Sequence, residues 1–295
     1  MPSKSPTRRD FVAGVLGSMS ALAGCSEKGP NKNDPPMSVE PGQRISYGAG
    51  PHQFGELRLP KVVGPHPVLV VIHGGFWRSG FDLKHLDPFC SALTASGWAT
   101  WSIEYRRIGN EGGGWPGTFL DVAAAVDKLR DLAGPHSLEL SKVVLIGHSA
   151  GGHLALWAAG RKRIPAESAV FGKSPMPLKA VVSLAGVCDL RRAWQENVGG
   201  GVVGELLGGS PEQFPERYTA ASPFDLLPLG LPQILVHGKD DVGVPVAMSQ
   251  GYHRRAIELA DPARLVELSD TGHFELINPR SKQWPQIVEI VTALR

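Results

Sequence analysis

Val143-Val144-Leu145-Ile146-Gly147-His148-Ser149-Ala150-Gly151 is the stretch on which the reading of this chain turns. Four apolar residues run into a serine bracketed by glycines. Gly152-His153-Leu154-Ala155-Leu156-Trp157-Ala158-Ala159 then follows at once with the composition of a helix. A strand that hands over to a helix with no loop between them must turn sharply. The residue at the apex is strained, and its neighbours must be glycine because a side chain there would strike the adjoining strand and helix. Such a turn lifts the Ser149 hydroxyl clear of the sheet edge, with the first amides of the helix aimed at the same place.

A serine hydroxyl is a weak nucleophile near neutral pH. It needs a base, an acid to orient that base, and donors for the oxyanion. Upstream, Pro67-Val68-Leu69-Val70-Val71-Ile72 reads as a buried strand ending in His73-Gly74-Gly75-Phe76-Trp77. Glycines just past a strand let backbone N–H groups turn inward, so the amides of Gly75 and Phe76, with that of Ala150, are the candidate oxyanion donors. Downstream, Gln233-Ile234-Leu235-Val236-His237-Gly238 leads into Lys239-Asp240-Asp241-Val242-Gly243-Val244-Pro245. Two aspartates compete there. Asp241 is favoured, because its spacing to Val244-Pro245 resembles the His-Gly-x-x-Asp-x-x-Val-Pro segments of serine hydrolases, and Asp240 is left to solvent. A further strand over 264–268 precedes Thr271-Gly272-His273-Phe274, whose His273 is the candidate base.

Together, residues 73–77, 147–152, 237–245 and 271–274 resemble the α/β-hydrolase superfamily. The likeness is to its small esterase-type members carrying His-Gly-Gly-aromatic-Trp, a group that includes kynurenine formamidase-like and feruloyl- or acetyl-esterase-like proteins. It covers about residues 43–295. The resemblance implies an α/β fold, a mostly parallel central sheet of about eight strands with helices on both faces and a small cap insertion. It also implies cleavage of a small-molecule carboxylic ester through an acyl-enzyme on Ser149, with His273 and Asp241, and neither metal nor organic cofactor. Arylformamidase-type amide cleavage is the first alternative. A prolyl-oligopeptidase-like peptidase ranks below it, since no propeller-sized domain precedes the first buried strand. A non-catalytic binding module is the last, because each residue type of a triad is present in order.

From Val68 onward, apolar runs of strand length alternate with helical stretches, the pattern of a parallel sheet covered on both faces. Residues 84–96 and 118–133 read as helices, 97–103 and 179–185 as strands, and 44–47 and 54–59 as antiparallel edge strands. Residues 187–231, rich in glycine and proline, read as an irregular cap. Among the aromatic residues near the motifs, Trp77 is expected to line the substrate pocket. Phe76, Trp115 and Trp194 are assigned to packing, His148 and His153 to structure, and Glu104-Tyr105-Arg106 to packing and salt-bridging. Cys90 and Cys188 are expected to be buried free thiols.

The front of the chain is a separate object. Thr7-Arg8-Arg9-Asp10-Phe11-Val12 resembles a twin-arginine export signal, and Leu22-Ala23-Gly24-Cys25 resembles a bacterial lipobox. The expectation is a signal peptide over 1–24, a lipid-modified Cys25, a flexible tether over 25–42 and a catalytic domain over 43–295. This describes an exported bacterial lipoprotein held to a membrane through Cys25 and facing the periplasm or cell exterior. The whole chain is formally +2, and residues 1–24 carry that excess as Lys4, Arg8 and Arg9 against Asp10. The balance left near zero suggests no nucleic-acid partner.

Overall fold

The apolar runs become the strands of one sheet in the computed structural model, which describes residues 39–295. In chain order the strands are Gln43–Ser46 (β1), Phe54–Arg58 (β2), His66–Ile72 (β3), Ala99–Ile103 (β4), Leu138–His148 (β5), Ala180–Leu184 (β6), Gln233–Gly238 (β7) and Ala263–Leu268 (β8). The longer helices are Asp87–Ala95 (α1), Gly117–Asp127 (α2), Ala150–Ala159 (α4), Ala247–Glu258 (α9) and Trp284–Thr292 (α10). The shorter ones are Leu129–Leu132 (α3), Leu190–Gln195 (α5), Val202–Leu207 (α6), Pro215–Ala221 (α7) and Pro223–Leu226 (α8). The arginine pair, Cys25 and the tether up to residue 38 lie outside the described residues.

The sheet order is β1-β2-β4-β3-β5-β6-β7-β8, with the β1–β2 and β2–β4 pairs antiparallel and the remaining pairs parallel. A parallel strand buried on both faces needs apolar side chains at successive positions, and β3 shows what they do. Val68, Val70 and Ile72 enter one core with α2, α4 and α9, whereas Leu69 and Val71 enter another with α1 and α10. Burying one such side chain contributes about 1.5–3 kcal/mol. Strand alternation therefore assigns a helix layer to each face.

The sequence expectation of one helix over 84–96 resolves into a short 3₁₀ turn at Leu83–Leu86 and then α1, with Pro88 in its first turn. The helix expected over 118–133 is divided at Lys128 into α2 and α3. The larger difference is residues 187–231, which hold the four helices α5 to α8 rather than irregular chain. Gly201 and Gly208, at φ 83° and 86°, flank α6, and Pro215 and Pro223 open α7 and α8. Left-handed glycines stop a helix and prolines start one, so each element is only a turn or two long. This insertion packs on the loops after β3 and β4: Arg78 pairs with Glu205 at 2.7 Å, and the Trp115 amide donates to the Leu206 carbonyl at 2.7 Å.

Topology sets the place of the chemistry. From β3 the chain passes to β4 on one side, then returns to β5 on the other, and this reversal leaves a crevice at the carboxyl ends of β3 and β5. His73 and Ser149 follow those ends, and Asp241 and His273 follow the same ends of β7 and β8.

Candidate active site

Ser149 stands between β5 and α4 at φ 58°, ψ −122°, a conformation no relaxed serine adopts. Strain of this kind costs roughly 1–3 kcal/mol and persists only where the surroundings impose it. Here they do. The Ser149 amide donates to the Leu184 carbonyl of β6 at 2.8 Å. A Cβ at Gly147 would collide with the Gly151 carbonyl, and one at Gly151 would collide with those of Ile72 and His73. The two glycines are needed for the reason the sequence suggested.

The loop after β3 curls through three successive left-handed residues, Gly75, Phe76 and Trp77, at φ 105°, 51° and 55°. Its contact with the nucleophile is close: a Cβ on Gly74 would lie 3.0 Å from Ser149 Cβ. The curl is pinned by the Arg78 amide donating to Gly75 O at 3.0 Å and the Ile108 amide donating to Trp77 O at 2.8 Å. Among the described residues, the amides of Gly75, Phe76 and Ala150 donate to no protein acceptor. Three amides on the two segments that adjoin Ser149 are therefore left as free donors among the described residues.

Asp241 is 9% exposed, and its carboxylate is filled on both oxygens. Oδ1 accepts from the amides of Gly243 and Val244, each at 2.8 Å, and Oδ2 accepts from His273 Nδ1 at 2.6 Å. His237 Nε2 stands 3.3 Å from the same Oδ2 and donates to the Val244 carbonyl at 2.9 Å, while its Nδ1 meets Ser249 Oγ at 2.8 Å. Burial alone would raise the Asp241 carboxyl. The hydrogen bonds from His237 and His273, the charge of His273 and the Val244 amide reverse that and hold it far below the usual carboxylate range. Asp240 is exposed, as expected.

With Nδ1 committed to Asp241, His273 keeps Nε2 for other work. Its loop is fixed beside the nucleophile by His148, whose Nε2 donates to the His273 carbonyl at 2.9 Å and whose ring lies 4.5 Å from the His273 ring. Burial, then repulsion from His273, pushes His148 well below an ordinary histidine, so it is a neutral spacer. Residues far apart in the sequence are thus brought to one edge of the sheet: Asp241 bonded to His273, His273 packed on His148, and His148 joined directly to Ser149.

Trp77 does not line the site. It is fully buried, and its Nε1–H donates to His153 Nδ1 at 3.1 Å. His153 Nε2 in turn donates to the Ala221 carbonyl at 3.0 Å, and burial lowers the His153 pKa to about 4. The left-handed turn at Trp77 carries its indole inward, under the loop. The apolar side chains that do face outward near the site are ones the sequence reading passed over. Phe81 packs against Gly75, Val242 follows Asp241, and Phe274 lies 5.2 Å edge-on to His273; all three are exposed. Their signal was adjacency to the motif residues. Arg106, read as a structural group, forms a two-pronged pair with the buried Asp121 at 2.8 Å per contact. Cys90 and Cys188 are buried and unbridged, and burial raises both thiols to about 12.

A family described as BD-FAE matches residues 56–255. Esterase LipC of Mycobacterium tuberculosis is 29% identical over 79% of the chain and 58% of its own length. The probable carboxylic ester hydrolase LipM of the same organism is 28% identical over 73% of the chain and 51% of its own. The chain thus spans little more than half the length of these relatives. Among solved structures, a truncated carbohydrate esterase from gut microbiota superposes with TM-score 0.75 at 20% identity, covering 86% of this chain and 96% of that one. Thermogutta terrifontis esterase 2 with bound propionate gives 0.69 at 21%, covering 85% and 92%. These likenesses fix the fold as that of the α/β-hydrolases, and the match across residues 56–255 makes the chain a member of the BD-FAE family.

Proposed function

We propose that the protein is a serine esterase that cleaves small carboxylic esters through an acyl-enzyme. The observation that carries this reading is the strained Ser149 beside a histidine already bonded to a buried carboxylate. In this mechanism Ser149 Oγ attacks the ester carbonyl while His273 Nε2 takes its proton. The tetrahedral oxyanion is met by the amides of Gly75, Phe76 and Ala150. Collapse expels the alcohol, to which His273 returns the proton, and water then repeats the cycle on the acyl-enzyme. Asp241 holds the imidazole with Nδ1 protonated and stabilises the imidazolium that forms. The names of the mycobacterial relatives support ester hydrolysis, and the exposed Phe81, Val242 and Phe274 favour substrates with an apolar group.

The test is turnover of p-nitrophenyl acetate and labelling by a fluorophosphonate, compared with Ser149→Ala. The variant should be unlabelled and lose turnover on the order of 10⁵–10⁶-fold. Turnover within tenfold of the parent would remove the esterase reading.

We also propose, from Arg8, Arg9 and Cys25, that the protein is exported and lipid-anchored. Incorporation of labelled palmitate in the producing cell, abolished by Cys25→Ser, is the expected result, and an unlabelled parent protein would refute it.

A further inference from the structure

We infer that Gly199 of the insertion is a positioning residue for the oxyanion hole: its bare Cα is the seat on which the Phe76 ring rests, and that seat sets where the Phe76 amide points. The inference rests on the esterase reading for the use of that amide, whereas the contact itself is independent of it. Of the three left-handed residues after β3, Phe76 is the one that the backbone leaves loose. The bonds that pin the curl fall on either side of it, at the oxygens of Gly75 and Trp77. Among the described residues, neither the N–H nor the carbonyl of Phe76 meets a protein partner. Gly75 O belongs to the same planar peptide as the Phe76 nitrogen, so the Arg78 bond holds one corner of that plane. The opposite corner is the Phe76 Cα, and what holds it is the side chain.

That side chain is half-buried against the same core as Val198 and Val202. A Cβ on Gly199 would lie 2.7 Å from both Cδ1 and Cε1 of the Phe76 ring. Gly199, Gly200 and Gly201 run at φ 72°, 68° and 83°, a second left-handed arch that touches the first through this one ring. The arch is firmly placed. It opens α6, which is tied to the oxyanion loop by the Arg78–Glu205 pair and to the loop after β4 through the Leu206 carbonyl. One turn on, the Trp194 ring covers Gly204. An ordinary carbon contact is about 3.5–4.0 Å, so a side chain at residue 199 drives the Phe76 ring back by roughly 1 Å. A displacement of about 1 Å at a group that meets the transition state can cost 100-fold in rate. Through this seat the insertion takes part in the oxyanion hole as well as covering it.

Gly200 provides the control. It is as left-handed as Gly199, but a Cβ there meets nothing within 4 Å. Alanine at either position carries the same backbone strain, and only Gly199→Ala strikes the ring. The experiment measures kcat and KM for p-nitrophenyl acetate in the whole protein carrying Gly199→Ala, Gly200→Ala, Phe76→Ala or the Gly199→Ala and Phe76→Ala pair. The Phe76 amide is followed by ¹⁵N–¹H NMR in the two glycine variants. Gly199→Ala should lower kcat at least about tenfold with KM within about threefold, while Gly200→Ala stays within about threefold in both. Phe76→Ala keeps the amide and loses the seat, so its kcat should also fall about tenfold, and adding Gly199→Ala should then cost less than about twofold more. The added Cβ would stand 2.8 Å from Val202 Cγ1, so Gly199→Ala lowers the thermal midpoint with or without the ring, and coupling in kcat is the deciding quantity. A Gly199→Ala loss no larger than that of Gly200→Ala, a loss confined to KM, or a cost undiminished beside Phe76→Ala overturns the inference. The Phe76 amide resonance should move in Gly199→Ala and hold in Gly200→Ala. That readout needs no turnover, so failure of the esterase reading, seen as activity that survives Ser149→Ala, would show separately.

Discussion

Two histidine–carboxylate pairs lie on this molecule with nearly the same internal geometry and different fates. His273 meets Asp241 at 2.6 Å and His73 meets Glu104 at 3.0 Å, and both carboxylates are buried and held below the usual range. The difference is the second nitrogen. For His73 it is bound to the Gly74 carbonyl inside the protein; for His273, whose side chain is 10% exposed, it is left, in the proposed mechanism, for the proton of the Ser149 hydroxyl. A carboxylate beside an imidazole does not make a base. It makes a base only where the far nitrogen is free to take a proton, and otherwise it fixes the ring in place. His153 extends the contrast, since both its nitrogens are used and it is neutral: one accepts from Trp77 and the other donates to Ala221.

Removing the charge from each carboxylate should separate the pairs sharply. Asp241→Asn leaves the packing in place but favours the wrong tautomer of His273, and its expected cost is about 10⁴-fold in kcat with little change in thermal midpoint. A kcat within tenfold of the parent would mean that His273 is oriented by something other than Asp241. Glu104→Gln should invert the pattern. A glutamine amide donates to His73 Nε2 while Nδ1–H still reaches Gly74, so kcat should fall by less than about tenfold. Stability should fall by about 3–5 kcal/mol, because buried Arg107 loses its counter-charge. Denaturant unfolding and steady-state kinetics on the same preparation decide it. A kcat loss as large as that of Asp241→Asn would erase the distinction between the pairs.

The residues that carry the candidate chemistry were legible because each closes a strand whose apolar run announces it. The Gly147 and Gly151 bracket, the Gly74-Gly75 pair and the two late strand ends are local patterns. The eight-stranded sheet was readable for the same reason: from Val68 on, burial on both faces favours mainly apolar runs, of which β3 is the plainest. What escaped was held by partners distant in the chain. Glu104 looked like the neighbour of a Tyr-Arg pair, and nothing around it reveals that it ends 31 residues away on His73. His237 is the exception in being close in the chain to its partner: it looked like the end of a strand, and the turn that folds it back onto the Asp241 carboxylate left no mark in the spacing. Four short helices were hidden in residues 187–231 because glycine and proline at their ends dominate the composition, while their buried faces, such as Val202, Leu206 and Tyr218, are spaced over too few turns to show a period.

Trp77 gives the smallest of the expected effects and the finest test of how the loop is built. The sequence placed an aromatic ring after two glycines beside the nucleophile, which suggested a pocket wall. The structure turns it under the loop, where its N–H fills the acceptor nitrogen of His153, 76 residues on. Trp77→Phe keeps a ring of similar shape and removes only that donor. A buried acceptor left without its partner costs about 1–3 kcal/mol, so the variant should unfold at lower denaturant. Because the indole touches no substrate, KM for short and aromatic p-nitrophenyl esters should stay within about twofold, and kcat should change no more than loosening of the loop allows. The reverse result, a tenfold rise in KM for aromatic esters with unchanged stability, would return Trp77 to the pocket. It would also show that the left-handed turn at residues 75–77 opens when substrate binds, and the vacancy that distinguishes His273 would then need a second gate.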